Sequence, residues 1–349
     1  MFNKLFNFLL KKHLYIIVLF FCTLDVLNAQ DVEYSQFFSL PLHLNPAMAG
    51  TANAPRFTLA YRNQWPSLGA GFNGGFATYA GGYDQHFEKI RSSIGLWVSS
   101  DRIANNLWAA NSVSLAYAYQ LRLNKKMGLR FALEGSYINR SIDWYQLLYG
   151  DQIDPLKGFY QSFRVPNATL EITPDNFSKN IFDMGLGALY FTNKYYAGVT
   201  VRHILRPKEA ITSGDESRIP VKYSIHAGAI IPFKLRRIEN IFLSPNIYYV
   251  RQKNFNQISL GLLLNVKIIY GGIWFRHNIK NSDAVIVLVG LRKGIFRVGY
   301  SYDITLGKLA KATGGSHELT MTFSIGKDDN SLNPKNRSGI LSCPQILKF

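Results

Sequence analysis

From Arg56 onward, the sequence is a succession of short segments in which apolar and polar residues alternate. The alternation has the period of a β-strand, because successive side chains of a strand point to opposite faces. We count about fourteen segments of roughly ten residues, which is the length of a tilted transmembrane strand. The expected strands lie near residues 56–64, 75–86, 91–101, 108–122, 127–139, 183–191, 195–204, 221–231, 241–251, 256–266, 268–277, 284–292, 295–305 and 315–326.

The two faces of these segments differ in a way that indicates a membrane barrel. In segment 108–122, Leu115 and Tyr117 alternate with Ala116 and Ala118. Charged residues fall on the small, polar face, namely Arg122, Arg130, Glu134, Arg202, Arg297 and Asp303. An apolar outer face and a polar inner face are typical of a transmembrane barrel. Within such a lumen we expect Arg62 to pair with an acid, either Glu134 or Asp303.

The links between the segments also favour a barrel over a soluble sandwich or propeller, in which the apolar face would point into a core. Tight links alternate with longer ones, as in outer-membrane barrels with short periplasmic turns. The tight links include 123–126, 192–194, 266–267 and 292–294, and the longer ones are 64–74, 101–107, 140–182, 205–220 and 306–314. The sequence therefore predicts an all-β, antiparallel transmembrane barrel over residues 56–326, with both ends on the periplasmic side.

Composition agrees with this architecture and limits the partners. Aromatic residues make up 14% of the chain and charged residues only 17%, with 28 glycines and a net charge of +17. Many basic residues gather at the tight turns, including Lys125, Lys126, Lys194, Lys267, Arg292 and Lys293. The chain has no nucleic-acid-binding motif and no dense basic run, so we expect no nucleic acid partner. The basic rim predicts contact with outer-membrane lipid or with an acidic periplasmic protein.

The N-terminus predicts export. Basic residues precede the apolar run 14–21, which is too short to span a bilayer and long enough for a signal-peptide core. We expect a signal peptide over residues 1–29, cleaved after Ala29, and then a periplasmic segment over 30–55. That segment is apolar but has neither strand nor helix period, with turns at Asn45-Pro46 and Gly50-Thr51. It is therefore a possible plug. A periplasmic tail over 327–349 holds Cys343, the single cysteine expected in the mature chain.

Residue patterns for catalysis or metal binding are weak. The stretch 69–74 has the letters of a dinucleotide-binding loop, but strand residues follow it instead of a helix. Asp151 and Asp154 in the long loop near 140–182 have no third ligand at a fitting spacing, so we interpret them as loop hydrogen-bonding groups. His203 and His277 near strand ends are the candidates for a barrel enzyme. We expect no enzyme, cofactor or metal.

Six ordered motifs resemble a known family. They are Tyr34-Ser35-Gln36-Phe37, Leu44 to Thr51, Tyr61-Arg62-Asn63-Gln64-Trp65-Pro66, Tyr149-Gly150-Asp151-Gln152-Ile153, Tyr300 to Ile304 together with Thr313 to Glu318, and Cys343-Pro344. Together these motifs resemble the PorP/SprF family of the type IX secretion and gliding machinery of the Bacteroidota. The resemblance extends over essentially the whole mature chain.

The resemblance implies a non-catalytic outer-membrane barrel with protein partners. Those partners are periplasmic ring or lipoprotein components of the secretion system and a secreted surface protein or adhesin. A passive porin or a transporter of hydrophobic compounds is the alternative function. Candidate partner-binding residues are those of the motifs, namely Ser35, Gln36, Phe37, Asn45, Pro46, Gly50, Arg62, Asn63, Gln64, Trp65, Pro66, Gly150, Asp151, Gln152, Cys343 and Pro344.

Overall fold

A computed structural model describes residues 31–325, apart from residues 53, 68–74, 125, 148, 154–159, 163–164, 167–168, 172, 174–175, 212–216, 236–237, 279–280 and 307–312. Internal contacts divide the chain into Met1–Asp31 and Val32–Phe349, and the fold below belongs to the second unit. The predicted signal peptide, the cleavage site and the C-terminal tail lie outside the described residues, as do Lys125, Asp154 and the stretch 69–74.

Almost all of the regular structure is β-strand. Within the described residues, no helix is both long and apolar enough to cross a membrane. The strands are β1 (Arg56–Gln64), β2 (Phe76–Phe87), β3 (Ser92–Ile103), β4 (Trp108–Arg122), β5 (Met127–Ile142), β6 (Tyr160–Ser162), β7 (Val165–Pro166), β8 (Ser178–Thr192), β9 (Tyr195–Arg202), β10 (Lys222–Ala229), β11 (Ile231–Leu235), β12 (Ile238–Gln252), β13 (Phe255–Val266), β14 (Ile269–Asn278), β15 (Asn281–Lys293), β16 (Phe296–Thr305) and β17 (Ser316–Ser324).

The sheet closes on itself. Neighbouring strands pair antiparallel, and β1 pairs with both β2 and β17, so the first and last described strands of the ring form the seam. On the far side, β10 and β11 pair with successive parts of the same edge of β12, and together they act as one strand. The ring therefore contains 14 strands, as predicted, and the short β6–β7 ribbon stands outside it. With β10 and β11 counted as one strand, each strand of the ring pairs with a neighbour on both sides, as a sheet in lipid requires.

The polarity of the barrel is inverted relative to a soluble protein. Along β1, the side chains of Phe57, Leu59 and Tyr61 are exposed, whereas those of Arg56 and Arg62 are buried. The same alternation follows β5, where Arg130 and Glu134 are buried. The prediction of an apolar outer face and a polar lumen is confirmed. Arg122 differs, because it lies at the end of β4 and is exposed.

The two rims of the barrel differ in the length of their links. At one rim, Arg56 at the start of β1 pairs with Ser324 at the end of β17. The links at this rim are 88–91, 123–126, 193–194, 236–237, 267–268 and 294–295. We call it the short-turn rim. The opposite rim holds 65–75, 143–177, 203–221 and 306–315 among its links, and we call it the long-loop rim.

The longest link is shorter than predicted, because both flanking strands extend further. β5 continues to Ile142 instead of ending at 139, and β8 begins at Ser178 instead of 183. Five of the eight extra residues are polar, namely Arg140, Ser141, Ser178, Lys179 and Asn180, so the regular apolar pattern ends before the hydrogen-bonded ladder does. Asn139 Nδ2 donates to Asn180 Oδ1 across this extension, at 2.7 Å. Hydrophobic alternation thus locates the lipid-facing part of a strand and misses its polar extension.

Candidate functional site

Residues 32–52, here called the lumenal segment, lie inside the barrel. The segment consists of tight helical turns: a 3-10 turn at Phe37–Ser39, a short helix α1 at Pro41–Leu44 and a second 3-10 turn at Pro46–Met48. Pro41 and Pro46 open the last two, where a missing N–H has no cost. Nearly every side chain from 34 to 52 is buried. Its contacts reach strands around the ring.

Asn45 connects the segment to three strands. Its side-chain amide donates to the carbonyl oxygens of Ala188 in β8, at 3.1 Å, and Val199 in β9, at 3.2 Å. The same nitrogen lies 3.1 Å from His226 Nε2 in β10. Its Oδ1 accepts from the backbone N–H of Ala47, at 2.8 Å, which caps the second 3-10 turn. One side chain therefore shapes the turn and fixes it to the wall.

Inward-facing glycines make this close approach possible. A Cβ at Gly187 would lie 2.2 Å from Asn45 Oδ1 and 2.9 Å from Pro46 Cγ. A Cβ at Gly198 would lie 2.8 Å from Asn45 Nδ2. Because no side chain fits between the wall and the Asn45-Pro46 turn, the barrel needs glycine at these positions.

We expect Gly187→Ala to weaken the docking of the lumenal segment and to destabilise the barrel by about 1–3 kcal/mol, as overpacking of a filled interior does. The measurement is the midpoint of urea unfolding in detergent, together with protease sensitivity of residues 32–52. Gly135→Ala in β5 is the matched control, because nothing lies within 4 Å of its added Cβ. Equal midpoints for the two variants would contradict the proposed close packing.

A buried ion network holds the beginning of the segment. Arg62 Nη2 lies 3.0 Å from Asp303 Oδ2, and its Nη1 lies 3.0 Å from Glu318 Oε2. Arg276 Nη1 lies 3.0 Å from the same Asp303 oxygen. Ser35 sits among them, because its hydroxyl accepts from Arg62 at 2.6 Å and donates to Asp303 at 2.6 Å. Buried charges of both signs thus neutralise one another around a side chain of the segment.

Glu318 also satisfies the backbone of the segment. Its two carboxylate oxygens accept from the N–H groups of Ser35, at 2.8 Å, and Gln36, at 2.9 Å. The Gln36 side chain donates back to the Glu318 carbonyl at 3.0 Å and accepts from Thr320 Oγ1 at 2.7 Å. The segment has no sheet partner, so wall side chains supply the hydrogen bonds that its buried backbone needs.

The end of the segment is held near the short-turn rim. Asp84 accepts from Arg56 through both carboxylate oxygens, at 2.8 Å each, and from the Gly50 N–H at 2.6 Å. Gly50 has a φ of +64°, and a Cβ there would lie 2.6 Å from Ser93 Oγ. Both the backbone conformation and the space around it therefore require glycine. Arg130 Nη2 donates to the Ala49 carbonyl at 2.5 Å.

Aromatic and further charged contacts hold the middle of the segment. Phe38 stacks on Trp274, with ring centroids 4.6 Å apart and planes 8° apart. Phe37 stacks on Tyr248 at 5.0 Å. Arg202 donates to the Leu42 carbonyl at 3.0 Å. The segment thus has apolar, polar and ionic contacts along its whole length.

The structure separates the predicted site residues into two groups. Ser35, Gln36, Phe37, Asn45, Pro46 and Gly50 contact the wall of the lumen, and Arg62 joins them. The pairing of Arg62 with Asp303 is confirmed, whereas Glu134 bonds to Arg202. Asn63, Gln64, Trp65 and Pro66 lie at the long-loop rim, where β1 ends, and Trp65 N–H donates to the Gly315 carbonyl at 2.9 Å. Cys343 and Pro344 lie outside the described residues.

Gly150, Asp151 and Gln152 form a 3-10 turn in the long loop 143–177. The Asp151 carboxylate accepts from the Leu170 N–H at 2.6 Å and from Thr169 Oγ1 at 2.9 Å. The Leu170 bond holds the pKa of Asp151 below its usual range. Gln152 Oε1 accepts from the Tyr149 N–H at 2.8 Å. This motif organises its own loop, in agreement with the interpretation of Asp151 as a loop hydrogen-bonding group.

Sequence reasoning missed several residues that hold the segment: Arg56, Asp84, Arg276 and Glu318. The sequence pattern does indicate these residues, since each is a charged residue on the small, polar face of a predicted strand. The inward position could therefore be predicted, but the connection to residues 32–52 could not. His203 Nδ1 lies 2.8 Å from Asp183 Oδ2 and joins the end of β9 to β8. Among the described residues, no group of three or more His, Cys, Asp or Glu side chains could hold a metal ion.

Comparison with known families agrees with these motifs. The profile described as type IX secretion system membrane protein PorP/SprF matches residues 26–323. The chain belongs to this family. The predicted resemblance is confirmed, and the barrel and the family together identify an outer-membrane component of type IX secretion.

Solved structures similar to this PorP/SprF chain are outer-membrane barrels, at low identity. Omp33 of Acinetobacter baumannii is 9% identical with a TM-score of 0.43, and the match covers 79% of this chain and 99% of that one. The CymD monoaromatic hydrocarbon channel is 10% identical with a TM-score of 0.41, over 82% and 92%. The KdgM porin is 6% identical with a TM-score of 0.36, over 78% and 99%. No curated protein sequence matches the chain.

Proposed function

We propose that this protein is a lumen-filled, non-catalytic barrel that scaffolds periplasmic ring subunits of the type IX secretion machinery and assists export or surface attachment of a cargo protein. The observation that supports this role best is the lumenal segment. It occupies the space through which solutes would pass, and buried ion pairs at both of its ends hold it to the wall. A barrel filled in this way is suited to binding partners at its rims.

The proposed orientation places the short-turn rim in the periplasm, as in other outer-membrane barrels. Exposed cations dominate that rim among the described residues, namely Lys89, Arg91, Arg122, Lys126, Lys194, Lys267 and Lys293. Positive charge on a rim attracts an acidic protein surface and increases the rate of association. We therefore propose that acidic ring or lipoprotein subunits dock here, with the tail around Cys343 as a second contact.

The motif residues of the lumenal segment have a different proposed role. Ser35, Gln36 and Asn45 are buried against the wall, so a partner could reach them only after the segment left the lumen. We assign them to holding the barrel closed. The predicted signal peptide over residues 1–29 accords with the proposed export to this membrane.

We expect charge reversal at the short-turn rim to reduce partner recovery several-fold. The variant is Lys194→Glu with Lys267→Glu, and the measurement is affinity purification of the full-length protein from detergent extracts of native membranes, followed by quantification of ring subunits. Arg102→Glu with Lys253→Glu changes the net charge equally at the long-loop rim and serves as the control. Recovery of no secretion subunit with the unaltered protein would reject the scaffold role. Equal losses in both variants would reject the proposed docking rim.

A further inference from the structure

A cleft of about 910 Å³ opens on the outer wall at the long-loop rim, apart from the lumenal segment. Four cations line it, together with two tyrosines: Arg206, Arg218, Arg251, Lys253, Tyr223 and Tyr249. Arg206 and Arg218 come from the link between β9 and β10, and Lys253 lies in the turn after β12. No carboxylate is among the lining residues described.

The register of the strands places this cleft on the lipid-facing side. Tyr223 of β10 pairs with Arg251 of β12, and both side chains are exposed. Their neighbours Lys222 and Gln252, which also pair, point the other way and are buried at 4% exposure each. The cleft is therefore outside the barrel and cannot be an extension of the lumen.

The cations of the cleft differ from those of the lumen in having no acidic partner within the part of the chain that the structure describes. Among the described residues, none of Arg206, Arg218, Arg251 and Lys253 forms an ion pair. The hydrogen bond that their side chains do make, from Arg218 Nη1 to the Arg206 carbonyl at 3.2 Å, adds no negative charge. Like charges gathered in one cleft repel one another, and an anionic ligand would reduce that repulsion.

The surroundings indicate what kind of anion fits. Guanidinium groups bind phosphate through paired N–H donors, and tyrosines favour the boundary between lipid headgroups and acyl chains. Toward the middle of the wall the same outward face becomes aliphatic, with Ile225, Ile247 and Val199 between 40% and 53% exposed. From the rim toward the middle of the wall, the surface changes from cations to tyrosines and then to aliphatic side chains. In the same order, these match the phosphates, the headgroup boundary and the acyl chains of a phosphorylated lipid.

We propose that this cleft binds a phosphate-bearing glycolipid of the outer leaflet, with its phosphates on the four cations and its acyl chains along Ile225 and Ile247. The choice of leaflet rests on the orientation in the proposed function, in which the long-loop rim faces outward. The proposed lipid binding does not rest on that orientation, because it depends on the cleft alone. Partner recovery from membranes and lipid binding by the purified protein are separate measurements, so either proposal can fail without the other.

The test is titration of the full-length protein in detergent micelles with fluorescent lipid A that carries both phosphates. Arg251→Gln with Lys253→Gln should weaken binding by at least about tenfold, the loss expected when two charge-assisted contacts disappear. Arg122→Gln with Lys126→Gln removes the same charge from the short-turn rim and should leave binding unchanged. The heat-dependent shift of the barrel on a denaturing gel verifies that each variant is folded.

Further arms of the experiment separate the possible ligands. Dephosphorylated lipid A should bind no better to the unaltered protein than to the Arg251→Gln/Lys253→Gln variant, and equal binding of both lipid forms would overturn the proposal. Inorganic phosphate that competes at the same concentration as the lipid would identify a free-anion site instead. Equal losses in the two double variants would show attraction by net charge alone, which also overturns it.

Discussion

Deletion of residues 32–50, with the signal peptide kept, is expected to convert a poorly conducting barrel into an open channel. Eight-stranded barrels are filled by their own side chains, whereas barrels of about 16–18 strands enclose an aqueous pore. With 14 strands this barrel approaches the porin range, so its wall side chains alone leave space in the lumen. In the proposed function, the lumenal segment fills that space. Without it, the lumen should admit water and ions.

The measurement is single-channel conductance in planar bilayers. We expect the intact protein to conduct little and the deletion variant to conduct steadily, by at least about an order of magnitude more, as the difference between filled and open barrels implies. Deletion of a comparable length from the long loop, residues 150–168, is the control and should leave conductance low. High, steady conductance by the intact protein would instead support the alternative function as a passive porin.

Loss of the Arg62 charge is expected to be among the most destabilising single changes on the inner wall. The Arg62 side chain is 2% exposed and lies between Asp303 and Glu318. After Arg62→Met, the Glu318 carboxylate keeps no ion-pair partner among the described residues, and Arg276 must serve both Asp303 and Asp283. Breaking a buried ion pair costs about 3–5 kcal/mol, because it leaves a charge without compensation. The free energy of unfolding, from urea titration in detergent, should decrease by that amount.

Neutralising Arg62 together with its two acidic partners separates the charge effect from the loss of side-chain volume. In the triple variant Arg62→Met, Asp303→Asn, Glu318→Gln, no uncompensated carboxylate remains at Arg62, and much of the lost stability should return. Arg122→Met is the surface control, because Arg122 is exposed at the end of β4 and its loss should change stability by less than about 0.5 kcal/mol. If Arg62→Met alone were as stable as the triple variant, the proposed charge balance would be refuted.

The barrel could be predicted from the sequence because strand period and lipid contact are local properties. Leu115 and Tyr117 reveal their face through their neighbours, and the tight links show where strands reverse. Even the inward position of Arg62 and Asp303 follows from the alternation. Strand ends were harder to predict, since polar residues such as Arg140 and Lys179 continue the ladder beyond the apolar pattern.

The path of the lumenal segment could not be predicted, because its contacts connect residues that are distant in sequence. Ser35 binds Asp303 and Glu318, and Asn45 binds the wall at Ala188 and His226. No periodicity records which inner-face charge meets which backbone group. The segment's apolar composition showed that it must be buried, and its turns showed that it is not a strand. Only the closed barrel shows that the wall supplies its missing hydrogen bonds.

The carboxylate that caps Ser35 and Gln36 has a consequence for the order of assembly. Glu318 belongs to β17, the last strand among the described residues, which pairs with β1 at the seam. Ser35 and Gln36 therefore cannot complete their hydrogen bonds until β17 is in place. The barrel must close around its own beginning, after a loop of nearly the whole chain has formed. Closure of the seam and completion of these hydrogen bonds thus depend on the same strand, so a chain interrupted before β17 would lack both.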